Sequence, residues 1–519
     1  MKRRLIGVLL IGVLVLGLAA CGSPSTPDTA NAPGPADSGG SSAAPESKPV
    51  EIIVANSGTP NGLDPVSEDT QGTILVCNMF YDHLVEISAS DNSWVPAVAK
   101  SWNQVDATTW TFEINLDYKF SNGDQLTMED VKFSIERLAD IAKAADASKG
   151  IASVSYEGTT LTIKLVAANN TIIPQIMYVC VIVNKAYIEK GGDDAIFTNP
   201  IGTGPYVVTS FTPGGEVVVE SWEGYPFQKP QVDKITFRAI PEDSARYIAV
   251  ESGQVHFAGI VSPMELKLAQ DSGKFTIINQ VSQRTGNFIM NTERKPFDDV
   301  NVRRAMAYAF DREAICSLSG GRQPVLSPLF GGFLEYHEPA NLPTYDPAKA
   351  KELLEAAGIS PQNPITVDFK YWIREPGVEV FQAELQKLGV NLDLQFLEFS
   401  VFLQSEGAGD FDMIYTANRN LAGSALMDTQ RVDVNFIGSR NLNRWVSNEA
   451  QAVIDQMLTT PDQSQMKSLA AQLSDLVGEN VPIIPVFLQP AICVMDPKLS
   501  GIEVRGDMVT LFRNAVYSG

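Results

Sequence analysis

The residues in this chain that could do covalent or metal chemistry are few and scattered. There are three histidines, His83, His256 and His337, and they are distant from one another in sequence. No HExxH zinc pattern, GxSxG nucleophile turn or GxxxxGK phosphate loop is present. His83 and Glu86 have an i, i+3 helical spacing suited to a metal, but no further ligand is near, so a surface or internally satisfied histidine is the plainer account. Gly202-Thr203-Gly204-Pro205 looks like a phosphate-binding loop until Pro205, which removes the next backbone donor, and a strand pattern follows where a helix is needed. A tight turn is expected there. A Ser-His-Asp triad assembled in space is left open, but no local pattern supports one. The chain reads as a non-enzyme, with no cofactor and no metal site.

Cysteine chemistry is confined to one place. Met1-Lys2-Arg3-Arg4 is basic, Leu5 to Leu18 is an unbroken apolar run, and Leu18-Ala19-Ala20-Cys21 follows. A run this short, with basic residues ahead and small residues behind, is a secretory signal (1–20) and not a spanning helix. Its end resembles the bacterial lipobox, which implies a diacylglyceryl group on Cys21. Two acyl chains, at about 0.8 kcal/mol per buried CH₂, hold a protein on a membrane where one is marginal. Cys77, Cys180, Cys316 and Cys493 are far apart with no CxxC pair, which excludes a zinc knuckle. Three disulfide pairings are open in principle; four small buried apolar residues are the favoured reading.

Residues 21–49 form the tether. Of positions 22–49, 21 of the 28 are Gly, Pro, Ser or Ala, with no aromatic residue and no large aliphatic one. Such a segment cannot bury enough apolar surface to offset its ordering entropy, and its reach is roughly 30 Å. The formal charge of −22 becomes about −25 without Lys2, Arg3 and Arg4. This argues against nucleic acid and anionic lipid as partners, since both need clustered Lys and Arg. The remaining length is too great for one core, so two or three domains are expected.

The elements that would position any site alternate between strand and helix. Val50 to Ala55 is a strand, and Gln71 to Leu84 has a helical pattern. Trp110, Phe112, Ile114 and Leu116 alternate with polar residues as in a half-buried strand. Thr127 and Asp130 form a capping box for a helix whose apolar face is Val131, Ile135 and Leu138. Thr160–Val166, Cys180–Val183, Tyr206–Phe211 and Val217–Trp222 read as further strands. Later, Asp346 caps a helix with Pro347 first and Gly358 ending it. Ile365–Tyr371 is a strand, Val378–Leu388 a helix and Val390–Phe396 a strand. The natural reading is two separate mixed sheets, each with covering helices.

Seven segments, in order, resemble the family 5 solute-binding proteins of ABC importers, the class with oligopeptide, dipeptide and nickel receptors. Among them are Leu63-Asp64-Pro65, the run from Trp94 to Trp102, Trp110 to Leu138 and Asn199 to Glu220. VDKITFRAIPEDSARYIAVESGQVHF, FIMNTERKPFDDVNVRRAMAYAFDREAI and YDPAKAKELLEAAG complete the set, and the likeness runs from Val50 to the C-terminus. The resemblance implies an α/β, bilobed, periplasmic-binding-protein-like type II fold with an extra subdomain inserted in lobe 1. Lobe 1 would span 50–281, with its insert at about 87–199, and return at 488–519. Lobe 2 would span 282–487. It also implies a monomer on the extracytoplasmic face of a bacterial membrane, lipid-anchored and delivering a small solute to ABC permease subunits.

The ligand is where the likeness thins. In the peptide receptors, the strand after the segment resembling Gly409–Met413 leads to a tryptophan and an Asp-Pro pair, and an aspartate there pairs with the peptide amine. Here Ile414 to Asp428 lacks both. Asp428 is the candidate substitute. Tyr415, Asn418 and Arg419 lie in this stretch, and Arg374 follows Trp372. Two guanidiniums facing a cleft suit a carboxylate; an internal ion pair with Asp410, Asp412 or Glu375 is the alternative. Asn56, Ser57 and Thr59, just beyond the first strand, and Trp222 and Trp372, as stacking walls, complete the candidates, each tryptophan with a core-packing alternative. The expected cargo is a short peptide or peptide-like polar solute. Alternatives are a nickel or metal-chelate receptor, an extracellular hydrolase on the same fold, and a signalling receptor without an importer.

Overall fold

A computed structural model of the protein describes residues 48–519, apart from 69, 92, 142–148, 320, 321, 334 and 420–424, and without the side chains of 179, 193, 194, 418, 419 and 463. Cys21, the signal run and nearly all of the tether lie outside the described residues.

Among the described residues, eleven strands build one sheet. They are β1 (Glu51–Asn56), β2 (Tyr206–Phe211), β3 (Val217–Ser221), β4 (Lys234–Ala239), β5 (Phe257–Ala258) and β6 (Thr276–Met290). Then come β7 (Gln323–Pro324), β8 (Ile365–Tyr371), β9 (Val390–Phe396), β10 (Met413–Arg419) and β11 (Ile483–Met495). The order is β9-β8-β10-β6-β11-β5-β1-β4-β3-β2, with β7 against β11. β1 runs parallel to β4 and β5, and β8 parallel to β9 and β10. Parallel strands are covered on both faces, which explains the near-continuous apolar reading of Val50 to Ala55.

The sequence reading of two separate sheets is corrected here. β6 and β11 are long enough, at 15 and 13 residues, to belong to both halves. They pair antiparallel on either side of register shifts at Val281/Thr285 and Gly286/Asn287. The two halves keep separate cores. Ile52, Val54, Phe237 and Phe257 centre one, while Phe288, Phe369, Phe381 and Tyr415 centre the other.

A second sheet orders strands Ala99–Asp106, Thr109–Ile114, Thr160–Leu165 and Ile151–Glu157 as antiparallel neighbours. Phe112 and Ile114 are fully buried, as their alternation requires. The Thr127–Asp130 capping box forms, and Val131, Ile135 and Leu138 are buried beneath the sheet. This insert has its own core and is joined to the body by Asp64 and Arg137, a buried ion pair at 2.7 Å.

Two local expectations differ from the structure. The helix beginning at Gln71 stops at Cys77, not Leu84. Beyond it the backbone of Met79 and Phe80 accepts hydrogen bonds from Tyr206 and Gly204, so those carbonyls leave the helix to hold the Gly-Thr-Gly-Pro turn. That turn is tight: a Cβ on Gly202 would stand 1.8 Å from the Phe80 carbonyl oxygen. Cys180–Val183 is no strand. It follows helix Ile172–Val179 and makes only a bridge from Val181 to His83, with Ile182 N–H donating to Asp82. The Asp346 cap, Pro347 start and positive φ of Gly358 are as read. No helix among the described residues is long and apolar enough to cross a membrane.

Candidate functional site

One cavity lies within the second half, and two adjoining ones lie at the strand crossing. The first has a volume of about 250 Å³. One wall is the helix Phe399–Ala408, presenting Phe399, Phe402 and Glu406. Thr416 and Ala417 of β10 enter from the sheet, and Trp372 follows β8. Trp372 packs on Phe399 with ring centres 4.4 Å apart, forming an aromatic corner. Asp428 and Arg431 close the floor.

The floor is electrostatically specific. Arg431 Nη1 donates to the Pro328 carbonyl at 2.8 Å and stands 4.0 Å from Asp428 Oδ2. Its Nε and Nη2 are buried and donate to no described group. Asp428 Oδ2 also accepts the Phe330 N–H at 2.7 Å. Across the cavity, burial pushes the Glu406 carboxyl up to about 7, opposed by the positive charge of Arg440.

The second cavity, about 160 Å³, sits at the strand crossing. Ser57 and Gln71 line it from the first half, Arg284 and Gln489 from β6 and β11, and Arg322 from just before β7. Arg322 Nη1 donates to Glu375 at 2.6 Å, and its guanidinium lies 4.3 Å from the centre of the Phe487 ring.

Of the residues expected from sequence, Trp372 and Asp428 meet in the first cavity and Ser57 reaches the second. The others go elsewhere. Asn56 is buried, with Nδ2 directed to the Gly58 carbonyl at 3.4 Å, and Thr59 is buried, donating to the Gly215 carbonyl at 2.6 Å. Both hold the loop after β1 and line neither the first cavity nor the second. Trp222 lies at the end of the sheet opposite to Asn56. β3 runs antiparallel to β4, so Glu220 pairs with Lys234, itself opposite Glu51 at the start of β1, whereas Asn56 ends β1. Tyr415 is 1% exposed and packs on Phe288 in the core. Its burial raises the phenol well above its ordinary range.

Arg374 is exposed and stacks on Phe396 at 4.2 Å, lining neither cavity. The acids proposed as its partners have other cations: Glu375 has Arg322, Asp410 has Lys370 and Asp412 has Arg294. The backbones of Asn418 and Arg419 pair with Thr285 and Arg284, and their side chains lie outside the described residues. Sequence reasoning missed Arg284, Arg322, Glu406 and Arg431. A signal for Arg284 existed: Ser282-Gln283-Arg284-Thr285 is a run of four polar residues between Val281 and the apolar end Phe288-Ile289-Met290.

The three histidines have structural partners. His83 Nε2 is 3.2 Å from Asn78 Oδ1, and burial lowers its proton affinity. His256 Nδ1 accepts from Ile53 N–H, and His337 meets Asp475. The cysteines Cys77, Cys180, Cys316 and Cys493 are free and buried. No group of three potential ligands among the described residues is arranged to hold a metal.

Two half-sheets joined by crossing strands, with cavities at and beside the join, define a bilobed periplasmic binding protein with an inserted subdomain. The chain belongs to the bacterial extracellular solute-binding proteins, family 5, whose middle region matches residues 93–427. It is similar to Di/tripeptide-binding protein 2 of Pseudomonas aeruginosa, 23% identical over 483 residues, covering 86% of this chain and 91% of that protein. It is also similar to the nickel-binding periplasmic protein of Escherichia coli, 26% identical, covering 83% and 88%. The periplasmic binding protein DppA from Helicobacter pylori, in complex with the peptide STSA, superposes with a TM-score of 0.80 at 20% identity, covering 91% and 99%. The family consists of binding proteins, and its members act outside the cytoplasm.

Proposed function

We propose that this protein captures a short peptide or peptide-like polar solute and delivers it to ABC permease subunits, held at the membrane through lipidated Cys21 by the 21–49 tether. Lobe 1 would comprise 50–281 and 488–519, with its insert at about 87–199, and lobe 2 would comprise 282–487. Closure would turn about β6 and β11. The observation that carries the cargo class is the larger cavity, where the Trp372–Phe399 corner faces Asp428 and Arg431 across mixed apolar and charged walls. Such a lining holds a ligand with an apolar body and ionised ends. Asp428 would meet the cationic end. Ligand must favour the closed form over the open one for the permease to sense it.

Native mass spectrometry of the purified protein, with identification of whatever is released, tests this reading. A ladder of peptide masses is expected; a single non-peptide mass would overturn it. A metal chelate is the second reading, supported by the arginines Arg284 and Arg322 at one pocket, which can hold a chelate's carboxylates without coordinating metal.

A further inference from the structure

We infer that the pocket at the strand crossing is an anion subsite, in which Arg284 and Arg322 together hold a carboxylate of the cargo. This rests on the reading of the chain as a solute receptor, and it names one chemical end of that solute. The pocket's volume is about 160 Å³, and a cavity of about 220 Å³ beside it shares Pro263, Arg322, Pro490 and Ile492, so an end group held here has room for a ligand body alongside.

The charge of the lining is opposite to that of the chain. Overall the chain carries −22, yet Arg246, Arg284 and Arg322 all reach this pocket and Asp243 is the one acid among the described residues that line it. Asp243 is already bound to Arg246 at 2.5 Å. Arg246 is otherwise saturated by the carbonyls of Ile240, Pro241, Gly259 and Ile260, so that pair stays inside the wall. The other two guanidiniums that line the pocket are those of Arg284 and Arg322.

Arg322 is held ready. Glu375 fixes Nη1, Ser319 donates to the same carboxylate, and Phe487 supports the guanidinium plane. Its Nε is buried and donates to no described group. A guanidinium fixed at one edge keeps a planar fork for an oxyanion, and the rotamer entropy of binding is reduced in advance. Arg284 comes from β6 beside the Val281/Thr285 register shift, with Nε 3.4 Å from the Ala417 carbonyl. Since Ser57, Arg284 and Arg322 come from the first half, the crossing and the second half, an anion here would tie both halves to the crossing.

The test compares dipeptides as free acids with the same dipeptides as C-terminal amides, by calorimetry on wild type, Arg284→Gln and Arg284→Lys. Arg284 is partly exposed, so both variants should fold, and circular dichroism checks this. Wild type should prefer the acids by about ten-fold or more, as charge-assisted hydrogen bonds require. Arg284→Gln should bring the ratio near one, and Arg284→Lys should keep part of it. Equal affinity of wild type for acid and amide overturns the subsite, as does an undiminished ratio in Arg284→Gln. If neither form binds, the peptide reading fails, and succinate then judges the subsite alone. A rise in melting temperature with succinate in wild type but not in Arg284→Gln supports it; no rise in wild type overturns it.

Discussion

Asp428 and Arg431 stand 4.0 Å apart on the cavity floor, and the same Asp428 oxygen holds the backbone N–H of Phe330. Phe330 has φ of 59°, a left-handed conformation that a bulky side chain rarely adopts. The carboxylate therefore has a structural duty beside any ligand contact. Asp428→Ala leaves the Phe330 donor unmatched and Arg431 without its countercharge, and should cost about 3 kcal/mol. Asp428→Asn keeps an acceptor for Phe330, so it should stay folded. If a folded Asp428→Asn protein binds a captured peptide with unchanged affinity, Asp428 is not the amine contact.

The Asp64–Arg137 pair ties the insert to the body, with side chains 1% and 6% exposed. Removing one member of such a pair strands a buried charge. Asp64→Asn should lower stability by about 3–5 kcal/mol. Trp94, Trp102 and Trp110 pack together in the insert, so tryptophan fluorescence during urea unfolding reports this region. A midpoint unchanged from wild type would mean the pair contributes nothing.

Glu406 links the larger cavity to pH. Its carboxyl titrates near 7 in the folded protein against an ordinary 4.5, because burial disfavours the charged form. The folded state therefore binds the proton more tightly than the unfolded chain. Its stabilising contribution is complete below about 4.5 and is lost as pH rises through 7. Arg440, exposed nearby, limits the shift. Glu406→Gln should abolish this dependence, so the melting temperature of the variant relative to wild type should climb from pH 4.5 to 7 and level off above. A constant difference across that range would refute the assignment.

Gly202 is required by contact. An added Cβ meets the Phe80 carbonyl at 1.8 Å, and that carbonyl is held by the Gly204 N–H, which prevents easy relief. Gly202→Ala should lose about 4 kcal/mol, in the tail reserved for overpacked or strained sites. Thermal melting of Gly202→Ala beside Gly123→Ala, where a Cβ has open space but φ is 92°, separates crowding from backbone strain. Gly202→Ala should fall much further.

What was legible in the sequence was local. The capping box at Thr127 and the strands Ile365–Tyr371 and Val390–Phe396 each carry their cause within a few residues. The site was less legible because its cause is distant. Tyr415 and Thr416 are neighbours, yet strand parity sends the first into the core and the second to the cavity, and no local signal states which face is which. Trp222 required the direction of β3 relative to β1, which only pairing reveals. Arg284 and Arg322 converge through the β6–β11–β7 arrangement, and that depends on the two halves sharing a single sheet.

That shared sheet has a mechanical meaning. β6 and β11 are paired on both sides of their register shifts, and Ser282, Gln283 and Arg284 have no ladder partner on β11 between them. On the proposed division into lobes, rotation of one against the other would be torsion of a two-strand ribbon, with the bulges as its soft points. Torsion of such a ribbon would keep the main-chain bonds on either side of the shifts while the two shapes exchange. A cargo bound with differential affinity for the two shapes can tip the balance between them.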